Sequence, residues 1–275
     1  MSERVYSTVD DLVAGVPDGA KIAVVKDECG VAMEATRALI RKGIRRLHIV
    51  TVPTSGLQTD LFVGAGSVAT VETSAITLGE FGAPPNFVRA VKAGSITLKD
   101  ATCPAVYAGL QAAEKGIPFM PMRGLIGSDI EGHRDEFKII ENPFADDDPV
   151  IALPAIQPDI ALVHAPLADR HGNVWIGRER ALLTMAHAAK ETLATVEEII
   201  DGSLLEDEKL APGCIPSLYV SGIAEAKNGS WPMGLPGRYA VDAEHMALYC
   251  DMAKTKEGFR DYLDRFVMNS RQAAE

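Results

Sequence analysis

The 275-residue sequence is short of cations, aromatics and cysteine, and these shortages narrow what it can do. Lysine and arginine number 27 against 38 aspartates and glutamates, a formal net charge of −11. That balance argues against a nucleic-acid surface or an anionic membrane partner, since both need clustered positive charge. Small anions stay open, because they need only a locally positive pocket. The four cysteines, Cys29, Cys103, Cys214 and Cys250, lie far apart. No Cys-x-x-Cys pair or Cys/His cluster suggests zinc, so no metal is expected. Free thiols fit a reducing, cytoplasmic setting. No apolar run approaches the roughly 18–20 residues of a membrane span. The opening residues Met1-Ser2-Glu3-Arg4-Val5 lack the apolar stretch of a secretory signal.

What is present is ordinary for a globular chain: 47% hydrophobic and 24% charged residues, over a length ample for a core. Short β-branched runs alternate with helical patterns. Strand-like Lys21–Val25 precedes helical Val31–Lys42, and Leu47–Val52 precedes Leu57–Val63. Val68–Glu72 leads through a Gly/Pro-rich loop, Leu78–Pro85, to helical Asn86–Lys92. Ile96–Leu98 precedes a helix over Pro104–Lys115, with Ile117–Met120 beyond it. After a turn-rich stretch, Glu141–Pro149, come strands at Val150–Leu153 and Ile160–His164, a helix at Ala181–Lys190, and a strand at Thr192–Val196. This alternation predicts βα units on a mostly parallel sheet. The tail differs: Pro212–Pro236 reads as irregular, and Glu244–Ala253 and Lys256–Ser270 as two helices. One α/β domain over 1–275 is expected, with a core over 1–200 and a helical C-terminal extension over 201–275.

Four short motifs carry possible chemistry. Val63–Ala69, "VGAGSVA", contains G-x-G-x-x-A, but a helical segment precedes it and a β-branched run follows. A dinucleotide fingerprint needs the opposite order, so this match is a decoy. "ADRHGNVWIG", Ala168–Gly177, places Asp169 and His171 in a Gly-Asn turn, whose first role is structural. "VVKDECGVAME", Val24–Glu34, puts Lys26, Asp27, Glu28 and Cys29 after the first strand, where α/β folds place ligands. Glu28 there is a candidate nucleophile or base, unless it and Asp27 only favour a helix N-terminus. In "MRGLIGSDI", Met122–Ile130, Gly124, Gly127 and Ser128 beside Arg123 suit an oxyanion, carboxylate or phosphate. A plain loop is the competing description.

The stretch "LKDATCPAVYAGLQAAEKG", residues 98–116, runs from a strand into a helix. Thr102 or Cys103 would cap that helix and Pro104 would open it, where a missing N–H is harmless. Cys103 then sits at the positive end of a helix, where thiols are activated and anions held.

With these pieces in order, the chain resembles the α subunit of family I CoA-transferases, in particular the glutaconate CoA-transferase branch. The resemblance rests on "EFGAPPNFVRAVKAG" (80–94), "GLQAAEKGIPFMPMRGLIGSD" (109–129), "ENPF" (141–144), "PAIQPDIALVHAPLADRHGN" (154–173) and "AAKETLATVEEI" (188–199). It implies an open three-layer α/β fold with a mostly parallel sheet and a second, β-type chain, in an αβ or α2β2 assembly. It also implies covalent catalysis by a glutamate of that partner, with a coenzyme A thioester as substrate and no permanently bound cofactor. The α chain would supply oxyanion donors and part of the acyl pocket. Lys26, Ser55, Ser74, Glu80, Cys103 and the Arg123–Ser128 loop are expected to line it.

Two departures stand out. The family's glycine-rich turn after the first strand is replaced by Lys26-Asp27-Glu28-Cys29, and Cys103 stands where the transferases tend to carry Gln. Hydrolase-like relatives that open rings of steroid-derived CoA thioesters look to have Glu there. A thiol is a weak donor and a poor substitute for either. Cys103 is therefore a small residue widening the pocket, a thiolate nucleophile, or the mark of a chain without catalytic function. Besides CoA transfer, two functions stay open. One is CoA-thioester hydrolysis, including ring opening of a cyclic β-keto acyl-CoA, with Glu28 or Glu80 as base. The other is non-catalytic acyl-CoA binding.

Overall fold

In a computed structural model of the chain, residues 4–269 are described. Their centre is an eight-stranded sheet in the order Val5–Tyr6, Gly222–Glu225, Glu191–Val196, Ile160–Ala165, Lys21–Val25, Leu47–Val52, Val68–Thr73, Thr97–Asp100. Every neighbouring pair is parallel. Ile22, Ala23, Val24 and Val25 are all fully buried, and their unbroken apolar run is what a strand covered on both faces requires. The helix Met33–Lys42 is buried except at Glu34, Arg41 and Lys42, and it stops at Gly43, whose φ of 81° gives the left-handed C-cap.

The chain builds outward from Lys21–Val25 to Thr97–Asp100, then resumes on the other side with Ile160–Ala165. The strand order therefore reverses beside Lys21–Val25. The crevice beyond the carboxyl end of such a strand is where open α/β sheets hold ligands. Residues 26–29 lie at that end.

The expected βα units are present, with edges moved by one or two residues: the first long helix begins at Met33, and the strand after the Cys103 helix is Phe119–Met122. The latter joins no parallel layer. It pairs antiparallel with Val150–Pro154, which pairs antiparallel with Lys138–Ile140. Around the G-x-G-x-x-A match, the helix Leu57–Gly64 comes before the strand Val68–Thr73, the reverse of a dinucleotide fold.

The tail needs correction. Pro212–Pro236 is not irregular throughout, because Gly222–Glu225 is an interior strand of the main sheet and Cys214–Ile215 pairs with Val174–Trp175. The core therefore extends past residue 200. Gly222 is needed for packing: a Cβ there would stand 2.7 Å from Tyr6 Cε2 and 2.8 Å from Leu12 Cδ1. The terminal helices are Ala243–Met252 and Lys256–Leu263, the second running on as a π-helical turn over Asp264–Met268. Ser270, the expected end, and Met1–Glu3 of the opening segment lie outside the described residues. The first of these helices docks through Asp60. Its Oδ2 accepts the Tyr249 hydroxyl at 2.5 Å and Asn86 Nδ2 at 3.1 Å, while Oδ1 accepts the Phe87 N–H at 2.6 Å.

Candidate functional site

A cavity of about 680 Å³ opens at the carboxyl end of Lys21–Val25. Lys26, Asp27, Glu28, Ser55, Thr77 and Glu80 form its polar side. Phe81, Met233, Leu235, Val241 and Met246 are among its apolar lining. Three of the residues expected at an acyl pocket, Lys26, Ser55 and Glu80, thus line one cavity, together with Glu28, the candidate nucleophile or base.

Asp27 is the best-anchored carboxyl there. Its Oδ2 accepts the N–H of Leu57, the first residue of the helix Leu57–Gly64, at 3.1 Å. Its Oδ1 is buried with no hydrogen-bond partner among the described residues. Burial pushes the carboxyl up to about 7; the Leu57 and Gly56 N–H groups oppose this, and Glu28 and Asp60 add to it. The sequence placed Asp27 as an acid favouring the helix that follows it. The structure assigns it to the start of a different helix, while Met33–Lys42 has no side-chain cap.

Cys29 is buried, and burial followed by Glu179 pushes its thiol up to about 12, which keeps it neutral. Lys26 is held above its ordinary value, chiefly by Cys29, with Glu179 and Glu28 contributing. Ser55 Oγ accepts the Thr59 hydroxyl at 2.9 Å. That leaves the Ser55 O–H free to donate.

Ser74 and Cys103 do not line this cavity but meet each other. Ser74 Oγ lies 3.2 Å from Cys103 Sγ and donates to the Pro53 carbonyl at 2.7 Å. Cys103 is exposed and is the first residue of the helix Cys103–Glu114. Thr102 is its N-cap, accepting the Ala105 N–H at 3.4 Å.

The Arg123–Ser128 loop lies outside the cavity, contrary to expectation. The Arg123 guanidinium is engaged by Asp148 through Nε at 2.9 Å and Nη2 at 2.6 Å. The Gly127 N–H is bonded to Glu131 Oε2 at 2.7 Å, and Ser128 Oγ donates to the Leu125 carbonyl at 2.6 Å. Gly124 sits in the same exposed turn.

Asp169 and His171 are not an acid/base pair. The buried Asp169 carboxylate accepts the N–H groups of His171, Asn173 and Leu204 and the Asn173 side-chain amide, all at 2.8–3.0 Å. It shapes the turn between Leu167–Asp169 and Val174–Trp175, which pair antiparallel.

A buried network that sequence reasoning missed adjoins the cavity. His164 Nε2 lies 2.9 Å from Glu197 Oε1, and His164 Nδ1 lies 2.9 Å from Thr195 Oγ1. Tyr239, a cavity residue, donates to Glu197 Oε1 at 2.8 Å. Burial alone would raise the Glu197 carboxyl, but bonds from His164, Tyr239 and the Asn228 N–H hold it down to about 2. Among the described residues, no group of three or more His, Cys, Asp and Glu could hold a metal ion, and no helix is long and apolar enough to cross a membrane.

A protein of Archaeoglobus fulgidus is 32% identical over 97% of this chain, which spans 60% of that protein's length. The cholesterol ring-cleaving hydrolase IpdA subunit of Rhodococcus jostii is 29% identical, over 86% of this chain and 83% of the relative. The A-type subunit of glutaconate CoA-transferase from Acidaminococcus fermentans is 28% identical, over 84% of this chain and 77% of the relative. The crystal structure of the Acidaminococcus enzyme superposes with a TM-score of 0.88 at 26% identity, covering 97% of this chain and 89% of that one. The family model for coenzyme A transferase matches residues 6–223, and the chain belongs to that family.

Proposed function

We propose that this chain is the α subunit of a CoA-transferase that moves CoA between carboxylic acids together with a β-type partner in an αβ or α2β2 assembly. The observation that carries this reading is the cavity at the strand-order reversal, in a chain that follows the A-type subunit of glutaconate CoA-transferase over most of its length. The partner's glutamate attacks the thioester carbonyl, expelling CoA thiolate and forming an acyl-glutamyl anhydride. The thiolate then attacks the glutamyl carbonyl, releasing the first acid and leaving a glutamyl-CoA thioester. The acceptor carboxylate repeats the sequence in reverse. This chain contributes the opposite wall, with the free O–H of Ser55 and the ammonium of Lys26 available to a developing oxyanion. CoA thioester is the substrate, no permanently bound cofactor takes part, and the enzyme works in the cytoplasm.

A second reading, CoA-thioester hydrolysis, draws support from the Rhodococcus relative and from three carboxyls, Asp27, Glu28 and Glu80, at one cavity. Incubating the co-purified complex with acyl-CoA, with and without an acceptor acid, separates the two. Transfer requires the acceptor and produces its CoA thioester. Release of free CoA without any acceptor supports hydrolysis.

A further inference from the structure

We infer that the cavity selects acyl groups whose far end is uncharged hydrocarbon and turns away those carrying a second carboxylate. The inference rests on the transferase reading and concerns the substrate of the same site. Among the lining residues Lys26 is the one cation, and it stands beside Cys29, Glu179 and Glu28. Glu28 and Glu80 line the same space, as does Asp27, whose Oδ2 is taken by the Leu57 N–H. A second carboxylate at the polar side would therefore meet more acid than base.

Elsewhere along the lining it would meet the side chains of Phe81, Met233, Leu235, Val241 and Met246, which offer no donor to replace lost water. The next cation along this segment, Arg238, is directed elsewhere: its Nη2 reaches the Pro166 carbonyl at 3.5 Å and Glu198 at 3.9 Å. Arg123, the arginine expected at the site, is held by Asp148. Two methionines in the wall suit a branched or alicyclic chain, because thioether side chains adapt to irregular shapes. A volume near 680 Å³ falls within the roughly 300–1,000 Å³ typical of small-molecule sites, so size alone does not limit the acyl group to a few carbons.

The test compares two six-carbon donors, hexanoyl-CoA and adipyl-CoA, on the complex with its β-type partner, with acetate as acceptor. The inference predicts a kcat/KM for hexanoyl-CoA at least about tenfold above that for adipyl-CoA. It also predicts that Val241→Lys, at a half-exposed cavity position, narrows or reverses that ratio by supplying the missing cation. Equal or better use of adipyl-CoA by the wild-type complex overturns the inference while leaving CoA transfer intact. So does a ratio that Val241→Lys does not move. Transfer neither from these donors nor from any other acyl-CoA instead counts against the transferase reading. Calorimetric binding of the same two thioesters then decides the inference by itself: tighter hexanoyl-CoA upholds it, and equal or weaker binding overturns it.

Discussion

A Cβ built on Gly56 would stand 2.0 Å from Oδ2 of Asp27, and 2.5 Å from the Thr77 carbonyl oxygen. Both neighbours line the cavity, so the absence of a side chain at 56 lets Asp27 reach the start of the Leu57–Gly64 helix. Gly56→Ala should cost about 1–3 kcal/mol, the usual penalty of overpacking a tight site. That corresponds to a melting temperature lower by about 2–12 °C in a thermal scan. Gly15→Ala, where nothing lies within 4 Å, is the matched control and should leave the melting temperature unchanged.

Asp27 should also give stability a characteristic pH dependence. Its folded value is raised to about 7, whereas the unfolded value is near the ordinary 3.8. A raised carboxyl stabilises the fold below the unfolded value, and that contribution is lost as pH climbs to the folded value. Relative to Asp27→Asn, the wild type should lose up to about 4 kcal/mol between pH 4 and about pH 8, with no further change above that. Urea titrations of both proteins across this range check it. A difference that stays constant with pH would show that Asp27 ionises normally.

At Cys103 the expected result is a small one. The thiol is exposed, contacts Ser74 Oγ at 3.2 Å and lies off the cavity wall. Cys103→Ala should keep CoA transfer by the complex within a few-fold of wild type. A loss of about 10²–10³, the scale of a removed oxyanion donor, would give the thiol a direct part in the reaction.

The turn at 169–173 separates a structural carboxylate from its neighbouring histidine. Asp169→Ala strands four buried or half-buried N–H groups and should destabilise the chain by at least about 3 kcal/mol. His171→Ala should change neither stability nor turnover, because only the His171 backbone takes part. Loss of turnover in a folded His171→Ala enzyme would restore the acid/base pair.

The repeating βα units were legible because each strand announces itself by a β-branched run and each helix by its apolar period. Gly222–Glu225 was hidden because its opening glycine signals a turn locally, although it is needed for contact with Tyr6 and Leu12, more than two hundred residues earlier. Lys26, Ser55 and Glu80 could be placed together because strand ends in a parallel sheet converge on one edge. Arg123 could not be excluded from sequence, since its partner Asp148 lies 25 residues away in an irregular loop. The helix that Asp27 meets is not legible in the sequence, because only the fold brings residue 57 to it.

The central claim is that the covalent step belongs to the partner chain. Mass spectrometry of both chains, after the complex is mixed with acyl-CoA and no acceptor, tests it most directly. The account predicts a CoA thioester on a glutamate of the β-type partner, with the 275-residue chain unmodified. A CoA or acyl adduct on Glu28, Glu80 or Cys103 of this chain would contradict it.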